Sequence, residues 1–196
     1  DENGCISDAA SVEIDVTNSI AQPVIVSNAP VCEGEEVTLS IEEYSGTDVT
    51  YAWTKDGVLL TTENSHVITI NPASIADEGD YAVTVSVDDC DNTSAVYALD
   101  IHVQPTASIA PVADLTCTDS FDEITLDATG TGTGVLTYAW TGPNDFTSTN
   151  EDPVLVNVTE ANSGTYTVVV TDENGCISDA ASVEIDVTNS IAQPVI

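Results

Sequence analysis

An internal copy of 25 residues is the feature that most restricts what this chain can fold into. Residues 1–25 read DENGCISDAASVEIDVTNSIAQPVI, and residues 172–196 carry the same 25 letters, 171 positions later. Such a match indicates recent duplication or a stretch of a longer periodic array. We therefore expect a fold whose unit can be repeated end to end.

A weaker repeat divides the period into two related modules. Trp53 and Trp140 lie 87 residues apart in matching YAWT strings, and Tyr81 and Tyr166 lie 85 apart. Gln-Pro pairs punctuate the chain at 22–23, 104–105 and 193–194. We predict module 1 at 20–104 and module 2 at 105–189. Residues 1–19 would be the terminal strand of a preceding module, and residues 190–196 the start of the next one.

Short alternating runs predict β-strands throughout. Val37, Leu39 and Ile41 alternate with polar residues, and a similar period of two runs from Tyr81 to Val87. β-Branched residues in this pattern indicate half-buried strands. Strands recur about every 8–12 residues between turn signals, a spacing typical of an antiparallel sandwich. The sequence therefore predicts an all-β chain of tandem β-sandwich modules.

The aromatic residues fit an immunoglobulin-like plan. In that fold a tryptophan of strand C packs between the sheets, and a tyrosine at the E–F corner bonds to nearby backbone. Asp77–Tyr81 resembles the D-x-G-x-Y tyrosine corner, and the stretch Asn162–Tyr166 is a variant of it. Apolar residues stand where antibody domains place the inter-sheet cysteines. The predicted core residues are Leu39, Trp53, Tyr81, Leu126, Trp140 and Tyr166.

Five cysteines suggest disulfides at the module ends. Cys32 precedes the predicted strand that contains Leu39 (strand B), and Cys90 follows the predicted strand from Tyr81 to Val87 (strand F). Cys117 and Cys176 repeat this placement about 85 residues later. We predict the disulfides Cys32–Cys90 and Cys117–Cys176, with reduced buried thiols as the alternative. Cys5 is the copy of Cys176, so its partner would belong to the upstream module. Disulfides indicate an oxidising, extracellular setting.

The strings YAWTGPNDF and VTEANSGTYTVVVTDENGC resemble the Ig-like and PKD-like repeats of Bacteroidota cell-surface proteins. Trp140, Gly142, Pro143 and Asn144 carry the first motif, and residues 163–176 carry the second. The resemblance covers both modules, more strongly module 2, and module 1 departs from the motifs at 55–57 and 88–90. The resemblance implies export to the cell surface, tandem arrays, and stalk or adhesive roles.

Charge excludes several classes of function. The chain has 34 Asp and Glu residues against one Lys or Arg, Lys55, for a formal net charge of -33. Nucleic-acid binding needs many basic side chains to neutralise phosphates, so we expect none. We also expect no membrane insertion, because no run of about 20 apolar residues occurs.

We find no catalytic constellation and expect no enzyme. His66 and His102 lie in predicted strands without a neighbouring nucleophile or metal-ligand spacing. The stretch 129–134 (TGTGTG) is interpreted as a flexible loop rather than a phosphate cradle. No cofactor is certain.

Calcium is the one cofactor that the acidic turns suggest. Hard cations prefer several carboxylate and carbonyl oxygens. The chain lacks the known calcium-loop motif, so solvated turns are the alternative interpretation. Candidate ligands at the F–G turns are Asp88, Asp89 and Asp91 in module 1, and Asp172 and Glu173 in module 2.

The features together predict a mechanical role. We expect the shaft segment of an extracellular, cell-surface adhesin or fibre, whose partners are neighbouring copies of the same repeat. One alternative is a module that binds a cell-surface glycan or protein, with Phe146 as a loop contact. Another is a non-covalent filament subunit that uses strand complementation. Asn92 and Asn157 begin Asn-x-Ser/Thr sequences, which are acceptors of N-linked glycans.

Overall fold

A computed structural model describes residues 11–12, 19–88, 90–113, 115–116 and 123–188. These described residues form β-strands and two single 3-10 turns, at Ile75–Asp77 and Glu160–Asn162. No helix in the described part of the chain has the length and apolarity needed to cross a membrane.

Twenty short strands make up the described fold. They are β1 (Val26–Ser27), β2 (Val31–Cys32), β3 (Val37–Ser40), β4 (Thr50–Lys55), β5 (Val58–Leu59), β6 (Val67–Ile70), β7 (Gly79–Val87), β8 (Cys90–Thr93), β9 (Tyr97–Leu99), β10 (Ile101–His102), β11 (Thr106–Ile109), β12 (Leu115–Thr116), β13 (Glu123–Thr125), β14 (Ala128–Thr131), β15 (Thr137–Gly142), β16 (Phe146–Ser148), β17 (Val154–Val156), β18 (Gly164–Thr171), β19 (Ala181–Ile185) and β20 (Val187–Thr188).

The chain divides into two compact units, each of which gathers separate stretches of sequence. Unit 1 comprises Asp1–Ser27, Leu39–Ile68 and Asp80–Ala98, and unit 2 comprises Asn28–Thr38, Thr69–Gly79 and Leu99–Ile196. Unit 2 thus includes stretches that the sequence assigns to module 1. The module boundaries at 20–104 and 105–189 stay a prediction.

The main sheet of unit 1 is built on the hairpin of β4 and β5. Asp56 and Gly57 connect these strands with φ values of 51° and 76°. Two positive φ angles are typical of the type I′ turn, whose twist matches that of the flanking strands. The sheet continues in the order β5-β4-β7-β8, and β9 also pairs with β7. Along β7 every second side chain from Tyr81 to Val87 is buried, as the alternation predicts.

Unit 2 contains a β-sandwich. One of its sheets has the order β16-β15-β18-β19, and another pairs β13 with β17. Side chains from both sheets meet in a single hydrophobic cluster, because the inward positions of every strand are apolar. This cluster consists of Ile124, Leu126, Ala128, Tyr138, Trp140, Leu155, Tyr166, Val168, Val170, Ile185 and Val187.

The glycine-rich stretch 129–134 differs from its sequence interpretation. Residues up to Thr131 form strand β14, which pairs with β11, so the first half is not a loop. A Cβ added at Gly130 would lie 3.2 Å from the Tyr138 hydroxyl oxygen and from a Val170 methyl carbon. Glycine therefore lets this strand pack closely against the core of unit 2.

Candidate functional site

A disulfide bond between Cys32 and Cys176 is the central feature of the candidate site. The two sulfur atoms are 2.03 Å apart and the two Cα atoms 5.6 Å apart, across 144 residues of sequence. The bond corrects both predicted pairs, since Cys32 is not joined to Cys90, nor Cys176 to Cys117. Cys117 and Cys5 lie outside the described residues, and Cys90 is half-buried at the start of β8.

A buried carboxylate organises the turn that carries Cys176. Asp172 is 5% exposed, and its Oδ1 accepts the backbone N–H groups of Asn174 and Cys176, each at 3.0 Å. Its Oδ2 accepts the N–H of Thr133 at 3.3 Å. Together with the backbone hydrogen bonds from the Asp172 N–H to the Cys176 carbonyl oxygen and from the Gly175 N–H to the Asp172 carbonyl oxygen, each at 3.0 Å, this side chain holds the turn between β18 and β19. Cys176, at 1% exposed, is held in place by it.

The backbone on both sides of Cys32 is also held by hydrogen bonds. Strand β2 pairs in parallel with β10, with Cys32 opposite His102. The Cys32 N–H donates to Glu35 Oε2 at 3.0 Å, and the Glu33 N–H donates to the His102 carbonyl oxygen at 2.8 Å. Both cysteines of the disulfide therefore sit on backbone that other contacts already position.

A second contact accompanies the disulfide. The Gln104 side-chain Nε2 donates to the Ile177 carbonyl oxygen at 3.1 Å, directly beyond Cys176. Gln104 belongs to a Gln-Pro pair that the sequence marks as punctuation between modules. A Cβ added at Gly132 would lie 3.0 Å from the Pro105 Cβ and 3.0 Å from the Asp172 Cβ. The Gln-Pro pair thus packs close to the turn that carries Cys176.

All six side chains predicted for the core are buried. Trp53 and Trp140 are 0% and 1% exposed, and each indole N–H donates to a backbone carbonyl oxygen, of Ser65 and of Glu151 respectively. The Tyr166 hydroxyl donates to the Asn162 carbonyl oxygen at 3.0 Å, the contact expected of a tyrosine corner. The remaining three are Leu39, Leu126 and Tyr81.

Two tyrosines of unit 2 have perturbed acidity. Burial raises the pKa of Tyr138, and a hydrogen bond from its hydroxyl to Glu151 Oε1 at 2.8 Å raises it further. Burial also raises the pKa of Tyr166, against the opposing effect of its hydrogen bond to Asn162. Both hydroxyls therefore stay protonated at neutral pH and serve as structural donors.

The predicted calcium ligands do not form a cluster in the described residues. No group of three or more His, Cys, Asp or Glu side chains there is placed to hold a metal ion. Asp88 and Asp91 are exposed and line an open cavity with Asp48, whereas Asp89 lies outside the described residues. Glu173 is exposed, and Asp172 uses its oxygens on backbone N–H groups.

Phe146 takes no part in an exposed loop contact. It lies in β16, packs against the core cluster, and meets the Tyr166 ring edge-on at 5.4 Å between ring centroids. The sequence alternative that used Phe146 as a binding residue therefore has no support from its position.

The sequence carried one signal for the observed disulfide. Tyr81 and Cys90 are 9 residues apart, but Tyr166 and Cys176 are 10 apart, so the F–G turn of module 2 is one residue longer. The additional residue lies inside the turn, because the Thr171–Ile177 bridge stands where Ser86 pairs with Asp91 in module 1. The two cysteines therefore hold equivalent positions after turns of different width, and the alignment alone does not specify the partner of Cys176.

Comparisons with known proteins bear on the fold. No protein-family model matches the chain. Kin of IRRE-like protein 1 from Rattus norvegicus and from Homo sapiens is 26% identical over 166 residues, which is 80% of this chain. The match spans only about a fifth of each relative's length, 20% in the rat protein and 21% in the human one.

Two solved structures share the architecture. The eight N-terminal Ig domains of Down Syndrome Cell Adhesion Molecule match with a TM-score of 0.52 and 14% identity, over 84% of this chain and 24% of that one. The I-band fragment I67-I69 of titin matches with a TM-score of 0.50 and 15% identity, over 86% of this chain and 64% of that one. The chain therefore has a tandem immunoglobulin-like β-sandwich fold.

Proposed function

We propose that this chain is a shaft segment of an extracellular tandem Ig-like adhesin or surface fibre. The observation that carries the proposal is the Cys32–Cys176 disulfide, which joins residues 144 positions apart. One cysteine belongs to the stretch that the sequence assigns to module 1, and the other to module 2. A repeated chain with such a bond resists extension better than one whose modules are linked by peptide backbone alone.

The mechanical consequence follows from the path that tension takes through the molecule. When the two ends are pulled, force passes through the disulfide and bypasses residues 33–175. Only the residues outside this loop can lengthen the molecule. An extended chain spans about 3.5 Å per residue, so the bond withholds roughly 500 Å of extension. The parts of both modules that lie inside the loop are therefore shielded from tension along the chain, whereas β1, β19 and β20 lie outside it.

The exact repeat extends the same design beyond this segment. Cys5 and Cys176 stand in identical 25-residue stretches, including the aspartate, asparagine and glycine of the turn. We propose that Cys5 bonds to a copy of Cys32 in a preceding repeat. In a continuous array, most of every 171-residue period would then lie inside a covalent loop.

Location and partners follow from the same features. A disulfide favours an oxidising, extracellular compartment, and the related fold of a cell adhesion molecule supports a place at the cell surface. The partners would be neighbouring copies of the repeat. High negative charge would keep such arrays soluble and apart from one another. The role requires no catalysis.

Single-molecule force spectroscopy tests the proposal. The full chain is stretched between its two ends, first oxidised and then in the presence of a reducing agent. We expect the oxidised chain to release only the residues outside the loop, and the reduced chain to release about 500 Å more. A matched control is Cys90→Ser, which leaves the bond in place and should behave as the oxidised parent. Equal extension of the oxidised and reduced chains would refute the shaft mechanism.

A further inference from the structure

The two Asn-x-Ser/Thr sequences of this chain have opposite environments. Asn157-Val158-Thr159 lies between strand β17 and the 3-10 turn at Glu160–Asn162. Asn92-Thr93-Ser94 includes the end of strand β8. Since transfer of a glycan needs an accessible asparagine on a surface loop, the two sites should differ in their capacity to accept one.

Asn157 meets the structural requirements of an acceptor. It is exposed, it follows the last residue of β17, and its φ of 54° places it in the left-handed region typical of turns. Its side chain makes no hydrogen bond within the described part of the chain. Thr159 is exposed as well, and its hydroxyl donates to Asn162 Oδ1 at 3.2 Å on the surface, unlike the buried hydroxyl of Ser94. Val158 packs its side chain against the core cluster.

Asn92 is engaged on both sides of its amide. Its Nδ2 donates to the Ile20 carbonyl oxygen at 3.0 Å, and its Oδ1 accepts the Thr93 N–H at 2.9 Å. Ser94, the third residue of this site, is 8% exposed, and its hydroxyl oxygen accepts the Val83 N–H at 3.1 Å. Modification at Asn92 would require these contacts to break.

The surface beside Asn157 carries exposed apolar side chains. Val154 and Val156 are 45% and 63% exposed on the outer face of β17. Among the described strands, β17 pairs only with β13, so no described strand covers its other edge. An apolar edge strand is a site of unwanted pairing in long arrays.

We propose that Asn157 is an N-glycosylation site and that its glycan covers the exposed edge of β17. In the transfer, Asn157 Nδ2 forms a bond to the anomeric carbon of a lipid-linked oligosaccharide. The bond from that carbon to the lipid phosphate breaks, the lipid phosphate leaves with the electron pair, and the Nδ2 proton passes to a base of the transferase. The inference needs the export that the proposed function includes, but it does not depend on the shaft role.

Site mapping of the full chain after secretion from a eukaryotic cell line tests the modification. Glycosidase release in heavy-oxygen water marks each asparagine that carried a glycan, and mass spectrometry locates it. We expect the label at Asn157 and none at Asn92. The variants Asn157→Gln and Thr159→Ala should each lose one glycan mass, while Asn92→Gln should lose none. Label at Asn92 alone, equal label at both, or label at neither would overturn the assignment.

Light scattering tests the covering role. We expect the enzymatically deglycosylated chain to self-associate more than the glycosylated chain, and Val156→Thr to reverse this increase. Self-association that is the same with and without the glycan would overturn the covering role. Because neither experiment involves extension under force, either failure remains distinct from failure of the shaft proposal.

Discussion

The F–G turns of the two modules occupy the same place in the repeat but have different structures. In unit 1, strands β7 and β8 pair directly, with Val87 opposite Cys90, and Asp88 has a φ of 50° between them. In unit 2, β18 ends at Thr171, and the buried carboxylate of Asp172 closes a wider turn before Cys176. The turn of unit 2 is one residue longer than the hairpin turn of unit 1, and its cysteine, Cys176, is buried.

The difference shows that equivalent positions in a repeat need not have equivalent partners. A disulfide requires Cβ atoms that point toward each other at close range, and the alignment of two modules does not supply that geometry. Cys90 continues as part of a paired strand, whereas Cys176 is turned toward Cys32. The bond is consequently set by local turn geometry rather than by the alignment of the modules.

Loss of the disulfide should have the largest effect on stability. Cys32→Ser opens a loop of 144 residues. The chain-entropy model gives about 5 kcal/mol for a closed loop of this size. We expect the urea midpoint of unfolding, followed by circular dichroism, to fall by roughly 2 M or more, since m is about 1–3 kcal/mol/M for small proteins. An unchanged midpoint would contradict the structure.

The matched control places the same change at the other F–G turn. Cys90→Ser removes the thiol that stands in module 1 where Cys176 stands in module 2, and it leaves the Cys32–Cys176 bond intact. We expect a loss of at most about 1 kcal/mol, as for an ordinary substitution. Peptide mapping without reduction should recover Cys32 linked to Cys176 in this variant. Recovery of a Cys32–Cys90 peptide from the parent chain would instead restore the sequence-based pairing.

Removal of the buried carboxylate should have the next largest effect. Asp172→Ala leaves three backbone N–H groups without their acceptor, those of Thr133, Asn174 and Cys176. Of the three, only the bond from Cys176 is fully buried, and an unsatisfied buried group costs about 1–3 kcal/mol, so we expect a loss of about 2–3 kcal/mol with the smaller contributions of the other two. Thermal or urea denaturation of the purified chain measures it.

Two exposed positions serve as controls for Asp172. Glu173→Gln changes the adjacent carboxylate, and Asp88→Asn changes the acidic residue of the turn in unit 1, where asparagine tolerates a positive φ. Both should stay within about 0.5 kcal/mol of the parent. If Asp172→Ala destabilised no more than these two, the carboxylate would not be what holds the turn.

Much of the fold could be predicted from the sequence, because the alternation of apolar and polar residues along a strand shows which of its side chains are buried. The run from Tyr81 to Val87 is a strand with every second side chain buried, and Trp53 and Trp140 are enclosed in the interior. The strand within 129–134 was missed because glycine has no side chain to alternate. Glycine is needed at position 130 because the backbone there lies close to Tyr138 and Val170, and only the structure shows this.

Less of the candidate site could be predicted. Asp172 looked like one acidic turn residue among many, since nothing in a composition of 34 carboxylates distinguishes a buried one. Only the hydrogen bonds from Thr133 and Cys176 reveal its structural role. Likewise the Gln104 side chain donates a hydrogen bond to the backbone carbonyl oxygen of Ile177. Every residue has such a carbonyl, so the sequence does not identify this acceptor.

The tyrosine corners offer a second comparison between the units. Gly142 follows Trp140 by two residues, as Lys55 follows Trp53. A Cβ at Gly142 would lie 2.5 Å from Cδ1 of the Tyr166 ring. We expect Gly142→Ala to cost about 1–3 kcal/mol through overpacking, measured by thermal denaturation. Thr141→Ala, at the exposed neighbouring position, should cost much less; similar losses for both would show that the ring can move aside.

The smallest expected effect lies at the corresponding position of unit 1. Lys55 Nζ stands 5.9 Å from the centroid of the Tyr81 ring, within the range of a cation–π contact. In unit 2 the ring of Tyr166 is instead met by Phe146, which pairs with Gly142 across the hairpin. The equivalent tyrosines of the two corners are therefore covered in different ways, Tyr81 by a cation and Tyr166 by an aromatic ring.

Lys55→Gln should lower the stability of unit 1 by about 0.5–1 kcal/mol, because an exposed cation–π contact contributes about that much. Lys55→Arg keeps the charge above the ring and should retain the parent's stability. Thermal denaturation at low and high salt separates the contact of Lys55 with the Tyr81 ring from the effect of its charge on the net charge of the chain. If the loss in Lys55→Gln disappeared at high salt, it would be assigned to the general charge of the chain, and the ring contact would have no energetic role.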